Sequence, residues 1–150
     1  MAQLQNLHAL PIVAAAIAAW LFGALYYGVL GRQWLAAQGK TMDQCKAESA
    51  GRPTAAKAAP FVLSFVAELA MASALSGILF HIGIYSVRAG AFSGLMCWLG
   101  FVLTTVAVNN AYTFRKWTLT AIDAGHWLGA LLIIGVILGA WGAYGAIRLD

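Results

Sequence analysis

Three ionisable side chains lie inside apolar stretches of the sequence. Glu68 follows Pro60 by eight residues, which at about 1.5 Å per helical residue places it roughly 12 Å into an apolar run. Asp123 and His126 are three residues apart, so both can lie on one helical face where the carboxylate orients the imidazole. An ionisable group in hydrocarbon is costly unless it faces a partner or water. These three residues are therefore the first candidates for chemistry.

Polar residues of the other apolar runs could join these three at a common depth. The first run contributes two tyrosines and the third run contributes a threonine and two asparagines near the same end. Such residues occupy one side of a helix when they recur every three or four positions. The predicted binding cluster consists of Tyr26, Tyr27, Glu68, Thr105, Asn109, Asn110, Asp123 and His126.

Three uses of such a cluster are open. A buried hydrogen-bond network would hold the helices together, because polar side chains between membrane helices contribute roughly 1 kcal/mol each. A protonatable site or small polar pocket is the second use, because intramembrane acids recur in proton and solute paths. A metal site is weaker, since HExxH and CxxC patterns are absent from the sequence and His8 and His81 fall on the opposite side.

Motifs of common enzyme classes are also absent from the sequence. It contains no phosphate-binding glycine loop, no GxSxG and no dinucleotide-binding fingerprint. We therefore predict no catalytic residue and no metal site, and no residue in the sequence requires a cofactor.

The amino-acid composition indicates the environment that surrounds these residues. Hydrophobic residues make up 62% of the chain and charged residues 9%, whereas soluble domains carry roughly a quarter charged residues. A chain of 15.9 kDa has too little interior to bury so much apolar surface. The nine basic residues are spread between the apolar runs, which argues against a nucleic-acid partner. Lipid must supply the missing apolar phase.

Four apolar runs are long enough to position the polar residues across a bilayer. About 20 helical residues cross ~30 Å of hydrocarbon, with every backbone polar group satisfied inside the segment. The runs are continuous rather than alternating, which favours helices over barrel strands. We predict an all-α integral membrane protein, a single domain over 1–150 with four transmembrane helices at about 10–30, 60–84, 92–113 and 119–147.

Basic residues predict the orientation of these helices. The loop 31–59 holds five Lys or Arg residues and the loop 114–118 holds two, whereas Arg88 and Arg148 lie on the other side. The positive-inside rule makes the first two loops cytoplasmic. We therefore expect a multi-pass protein of the inner (cytoplasmic) membrane with both termini outside.

Two local features predict further structure. Thr41 and Gln44 have the spacing of a capping box, which indicates a short helix over 42–50 in the first loop. Trp20 lies near the middle of the first predicted span, where its indole N–H needs a partner because no headgroup is within reach.

Small residues recur at helical spacing along the fourth run. Helices in lipid associate through close packing of small side chains, so such a face can serve a bundle or an oligomer. We favour packing within the protomer, and an oligomer interface is the alternative. The glycines concerned are Gly125, Gly129, Gly135, Gly139, Gly142 and Gly145.

Several short motifs follow one another in a fixed order along most of the chain. They are Gly23-Ala24-Leu25-Tyr26-Tyr27-Gly28, Trp98-Leu99-Gly100-Phe101 and Asp123-Ala124-Gly125-His126. In these motifs the chain resembles the DUF1761 family, small bacterial membrane proteins of unknown function. The resemblance implies about four spans and implies no particular reaction or ligand.

The expected function is therefore one of interaction. We expect an accessory or scaffold subunit, not an enzyme, that packs among lipids against other membrane proteins or copies of itself. The alternative is a small proton-coupled transporter or ion-conducting oligomer that uses Glu68, Asp123 and His126. A membrane enzyme with Glu68 or His126 as general base is a third hypothesis.

Overall fold

Helices form all the regular structure in the part of the chain that is described. The computed structural model describes the backbone of residues 9–147 and the side chains of residues 9–142. Within these residues, four helical segments are long and apolar enough to cross a membrane. The predicted all-α, four-span membrane fold is thereby confirmed. His8 and Arg148 lie outside the described residues, as do the surroundings of Gly145.

Each span begins before the apolar run that predicted it, whereas the second and third spans end at Ile82 and Tyr112, one or two residues earlier than predicted. The first helix has 29 residues, which at 1.5 Å per residue is about 44 Å, the thickness of a bilayer with its headgroups. Hydropathy marks only the hydrocarbon part of such a helix. The described helices are α1 (Ala9–Ala37), α2 (Met42–Ala50), α3 (Thr54–Ile82), α4 (Val87–Cys97), a π-helical turn (Trp98–Val102), α5 (Leu103–Tyr112) and α6 (Trp117–Ile147).

The helix α6 is the centre of the bundle. It packs against α1, α3 and α4, and 44% of its most apolar 18-residue stretch is buried, the highest fraction among the spans. It runs antiparallel to α1, because Phe22 lies against Gly129 and Tyr26 against Gly125. The core between α1, α3 and α6 consists of Ile12, Ala15, Ala16, Ala19, Ala72, Leu75, Leu79, Ala130, Ile134 and Leu138.

The helices α4 and α6 approach each other until their backbones touch. A Cβ atom added to Gly90 would overlap the carbonyl oxygen of Gly135, and one added to Gly135 would overlap that of Gly90. Gly94 has the same relation to the carbonyl of Leu131. Small residues allow the two helices to come this close. The resulting van der Waals contacts stabilise the pair of helices in the bilayer.

The other described glycines of the α6 set also have neighbours within the same chain. Gly125 faces the Tyr26 hydroxyl and Gly129 faces the Phe22 ring, so both make room for side chains of α1. Towards the other end, the neighbours are a backbone carbonyl for Gly139 and an aromatic ring for Gly142, from Ser86 and Tyr85 respectively.

The third span leaves the bundle after its π-helical turn. Trp98, the first residue of that turn, donates its indole N–H to the carbonyl of Ala124 on α6 at 2.7 Å. Beyond it, large side chains such as Phe101 and Tyr112 are 73% and 83% exposed. Of the most apolar 18 residues in this span, 6% are buried. The α5 half therefore presents most of its surface outside the protomer.

The two local predictions are confirmed. The Thr41 hydroxyl accepts from the Gln44 N–H at 3.3 Å, and the Gln44 side chain accepts from the Thr41 N–H at 2.9 Å, which completes the capping box of α2. The Trp20 indole donates to the carbonyl of Phe61 at 3.1 Å and to the hydroxyl of Ser64 at 3.2 Å. This contact joins α1 to the start of α3.

Candidate functional site

The carboxylate of Asp123 on α6 accepts two hydrogen bonds from another span. Its Oδ1 atom accepts hydrogen bonds from the Tyr27 hydroxyl at 3.1 Å and from the Trp34 indole N–H at 2.9 Å. Tyr27 and Trp34 are two helical turns apart, so both lie on the same face of α1. A half-buried carboxylate is thus held by two donors from one neighbouring helix.

His126, one turn further along α6, is buried among aromatic rings. Its imidazole stacks on Phe22 with ring centroids 6.1 Å apart, and it lies 4.9 Å from the Tyr27 ring and 4.8 Å from the Trp127 ring. Gly23 provides the space for it, because a Cβ atom at that position would come within 2.7 Å of the His126 Nε2 atom. Close packing of rings therefore sets the position of this imidazole.

Tyr26 connects the two helices a second time. Its hydroxyl donates to the carbonyl of Ile122 at 3.0 Å, and its ring meets that of Tyr27 edge-on at 5.5 Å. We name these five residues, Tyr26, Tyr27, Trp34, Asp123 and His126, the α1–α6 cluster.

The predicted hydrogen bond between Asp123 and His126 is not formed. Among the residues that the structure describes, the His126 Nδ1 atom is buried without a partner. The i, i+3 spacing does bring both side chains to the face that meets α1, but there the Asp123 carboxylate is engaged by Tyr27 and Trp34. Tyr27 is the common neighbour, since its hydroxyl bonds Asp123 and its ring contacts His126.

Glu68 lies apart from this cluster. Its side chain is 1% exposed on the face of α3 that also buries Ala72 and Leu75. Within the described part of the chain, its Oε2 atom has no hydrogen-bond partner, and no hydrogen bond or ion pair joins it to Asp123 or His126. The expected convergence of the three ionisable groups is therefore not observed.

The polar residues of the third span are also separate from the cluster. Thr105 and Asn109 are exposed on α5, and the Thr105 hydroxyl donates to the carbonyl of Phe101 in the preceding π-helical turn. Asn110 donates to the Thr120 hydroxyl at 3.1 Å, which ties α5 to the start of α6. Of the eight predicted residues, the structure brings together Tyr26, Tyr27, Asp123 and His126.

Sequence reasoning missed three members of the surroundings of this cluster. Trp34 follows the first predicted span, where aromatic residues are common, and its spacing of seven from Tyr27 is the sequence feature that could have identified it. Phe22 and Gly23 could be found only once α1 was known to face α6. The arrangement offers hydrogen bonds and ring contacts, and among the described residues no three His, Cys, Asp or Glu side chains meet in a way that could hold a metal ion.

Comparison with known families gives one match, over residues 10–139, to a family described as "Protein of unknown function (DUF1761)". The chain belongs to this family. The whole α1–α6 cluster of this DUF1761 protein lies within the matched residues. No curated protein and no solved structure matches the chain significantly.

Proposed function

We propose that this DUF1761 protein is a non-enzymatic accessory or scaffold subunit that binds other membrane helices through its third span. The observation that carries the proposal is the outward position of Asn109 and Thr105 in the span that is least buried. We name the exposed surface of this segment the α5 face. Its residues are Gly100, Phe101, Thr104, Thr105, Val108 and Asn109.

The side-chain amide of Asn109 would be stabilised by a hydrogen-bond partner on another helix. The Asn109 side chain is exposed and takes part in none of the hydrogen bonds found among the described residues, and a hydrocarbon environment would offer it no partner. Gly100 adds room for close approach, because a Cβ atom there would meet nothing within 4 Å among the described atoms. Small residues that permit close approach and Asn side chains that hydrogen-bond between helices are both features of membrane-helix interfaces.

The glycines of α6 support this choice of surface indirectly. Gly135 and Gly139 contact backbone atoms of Gly90 and Ser86 in the same protomer, so they are not free to meet a second molecule. A partner helix is therefore expected on the α5 face, where the partner is a second copy of the chain or another membrane protein.

Cross-linking in membranes tests this proposal. Val108, 52% exposed at the centre of the α5 face, is replaced by cysteine in a chain without Cys45 and Cys97. We expect Val108→Cys to give cross-linked species, and Asn109→Leu to reduce them several-fold. Ser73→Leu is the matched control, because Ser73 is also an exposed polar residue of a span but lies on α3. Absence of adducts together with a monomeric state in nanodiscs would refute the proposal.

We also propose that the protein lies in the inner membrane with the loops 31–59 and 114–118 in the cytoplasm, since these loops carry most of the basic residues. Cysteine labelling tests this orientation. Lys46→Cys should react only from the cytoplasmic side, and Ile84→Cys, in the turn after α3, only from the other. Labelling of both from one side contradicts the topology.

A second candidate function is proton-linked transport. It is favoured by two buried polar atoms without described partners, Glu68 Oε2 and His126 Nδ1, because unpaired ionisable groups inside a membrane often mark proton paths. Glu68→Gln keeps the shape of the side chain and removes its ionisable proton. Loss of pH-driven flux in proteoliposomes with Glu68→Gln, but not with Glu48→Gln in the exposed loop, would support transport. Equal behaviour of both variants would exclude a role for Glu68.

A further inference from the structure

Two adjoining crevices lie where the end of α1 meets the turn between α5 and α6. The first has a volume of about 290 Å³ and is lined by Ala37, Gln38, Gly39, Thr113, Phe114, Arg115 and Lys116. The second, of about 330 Å³, shares Phe114 and Arg115 with it and continues along Ala111, Trp117 and Thr120.

The first crevice has the electrostatics of an anion site. Arg115 and Lys116 border it, and no ion pair neutralises either residue within the described chain. The Gln38 Nε2 group is shielded from solvent and has no acceptor in the described residues, although it is a donor. The first turn of α6, which begins beside Lys116, contains no acidic residue that would repel an anion.

The second crevice is more apolar than the first. Ala111, Phe114 and Trp117 line it together with Arg115 and Thr120. The Phe114 side chain is 97% exposed and its backbone adopts a left-handed φ of 53°, which is rare for a bulky residue. Trp117 is 71% exposed. Tryptophan side chains are enriched at the boundary between headgroups and acyl chains.

We propose that these crevices together form a binding site for one anionic phospholipid. The phosphate and headgroup occupy the basic crevice, against Arg115, Lys116 and Gln38, and the glycerol and acyl portion follows the apolar crevice past Trp117. A free phosphate ion would use only the first crevice. The adjacent apolar crevice and the exposed aromatic residues favour a lipid, whose two ends require both environments.

Lipid titration of the full chain in a neutral detergent, followed by native mass spectrometry, tests this site. The probes are phosphatidylglycerol, phosphatidylcholine and inorganic phosphate. We expect one phosphatidylglycerol per protomer at concentrations where phosphatidylcholine does not bind. The variant R115Q/K116Q should lose at least about tenfold in affinity, because each basic residue near an anionic lipid contributes to binding. The control R52Q/K57Q removes the same charge away from the crevice and should stay within about twofold.

Several results would overturn the assignment. Equal binding of phosphatidylcholine would show that the site does not select an anion, and unchanged phosphatidylglycerol binding by R115Q/K116Q would place the lipid elsewhere. Displacement of lipid by inorganic phosphate at similar concentrations would indicate a free-anion site. If R115Q/K116Q does not fold, Gln38→Leu decides, because it removes the shielded donor without changing charge and should lower the affinity about fivefold.

Discussion

The imidazole of His126 lies directly over Gly23, so that a Cβ atom on this glycine would come within 2.7 Å of the His126 Nε2 atom. The packing of α1 against α6 at this point thus depends on the absence of a side chain at Gly23. His126 cannot easily yield, because rings of Phe22, Tyr27 and Trp127 surround it.

Gly23→Ala should therefore destabilise the protein by about 1–3 kcal/mol, the usual cost of an extra methyl group in a packed interior. Thermal unfolding in detergent measures the effect. Gly28→Ala is the matched control, one and a half turns along α1 with nothing described within 4 Å of the added Cβ. It should be neutral or stabilising, because alanine is the better helix former. Equal loss in both variants would contradict the contact.

The hydrogen bonds to Asp123 should be partly redundant. Tyr27→Phe or Trp34→Phe leaves the Oδ1 atom with one of its two donors, so each should cost about 0.5–1.5 kcal/mol. The double variant leaves the carboxylate without either donor and should cost more than the sum. A double-mutant cycle on unfolding free energies measures this coupling. Tyr112→Phe, on a residue that is 83% exposed, is the control. Strict additivity would argue against a shared acceptor.

The contact between Gly90 and Gly135 should tolerate no side chain at all. A Cβ atom on either glycine meets a backbone carbonyl, and backbone cannot move aside as the end of a side chain can. We expect Gly90→Ala to cost about 3 kcal/mol or more, with loss of folded protein on extraction. Gly77→Ala on α3 has open space in the described structure and should be harmless. A stable Gly90→Ala protein would show that α4 and α6 are further apart.

The stability of the loop that holds Lys40 and Glu48 should depend on pH. The Lys40 ammonium, 2.6 Å from Glu48 Oε2, lowers the pKa of that exposed carboxyl. A lowered pKa means that the pair favours the folded loop above the usual carboxyl range and loses this contribution as pH falls through the folded pKa. Lys40→Gln should raise the Glu48 pKa towards its ordinary value, as followed by carboxyl NMR titration. An unchanged pKa would mean that the pair does not persist in solution.

Several elements could be predicted from local sequence. The capping box of α2 depends on residues three apart, and the spans depend on the length of apolar runs, so neither requires knowledge of distant contacts. The cluster was predictable only in part. Asp123 and His126 do share a face, but their partners on α1 are about 90 to 100 residues away in the chain.

The placement of Asn109 illustrates the limit of predicting helix faces from sequence. In a soluble protein, a polar residue on a helix indicates the outer face. In a bilayer, both the lipid and the protein interior are apolar, so hydropathy does not distinguish the two sides of a span. The need of a polar group for a partner predicts Asn109 inside the bundle, whereas it is exposed on α5.

The sequence by itself determined the solvent, the number of spans and their helical form, because backbone groups in hydrocarbon must be satisfied within each segment. Only the tertiary structure decided which faces meet. Which faces meet depends on steric complementarity between helices, as where Gly23 packs against His126 and Gly90 against Gly135. These contacts join segments far apart in the chain, so composition does not predict them.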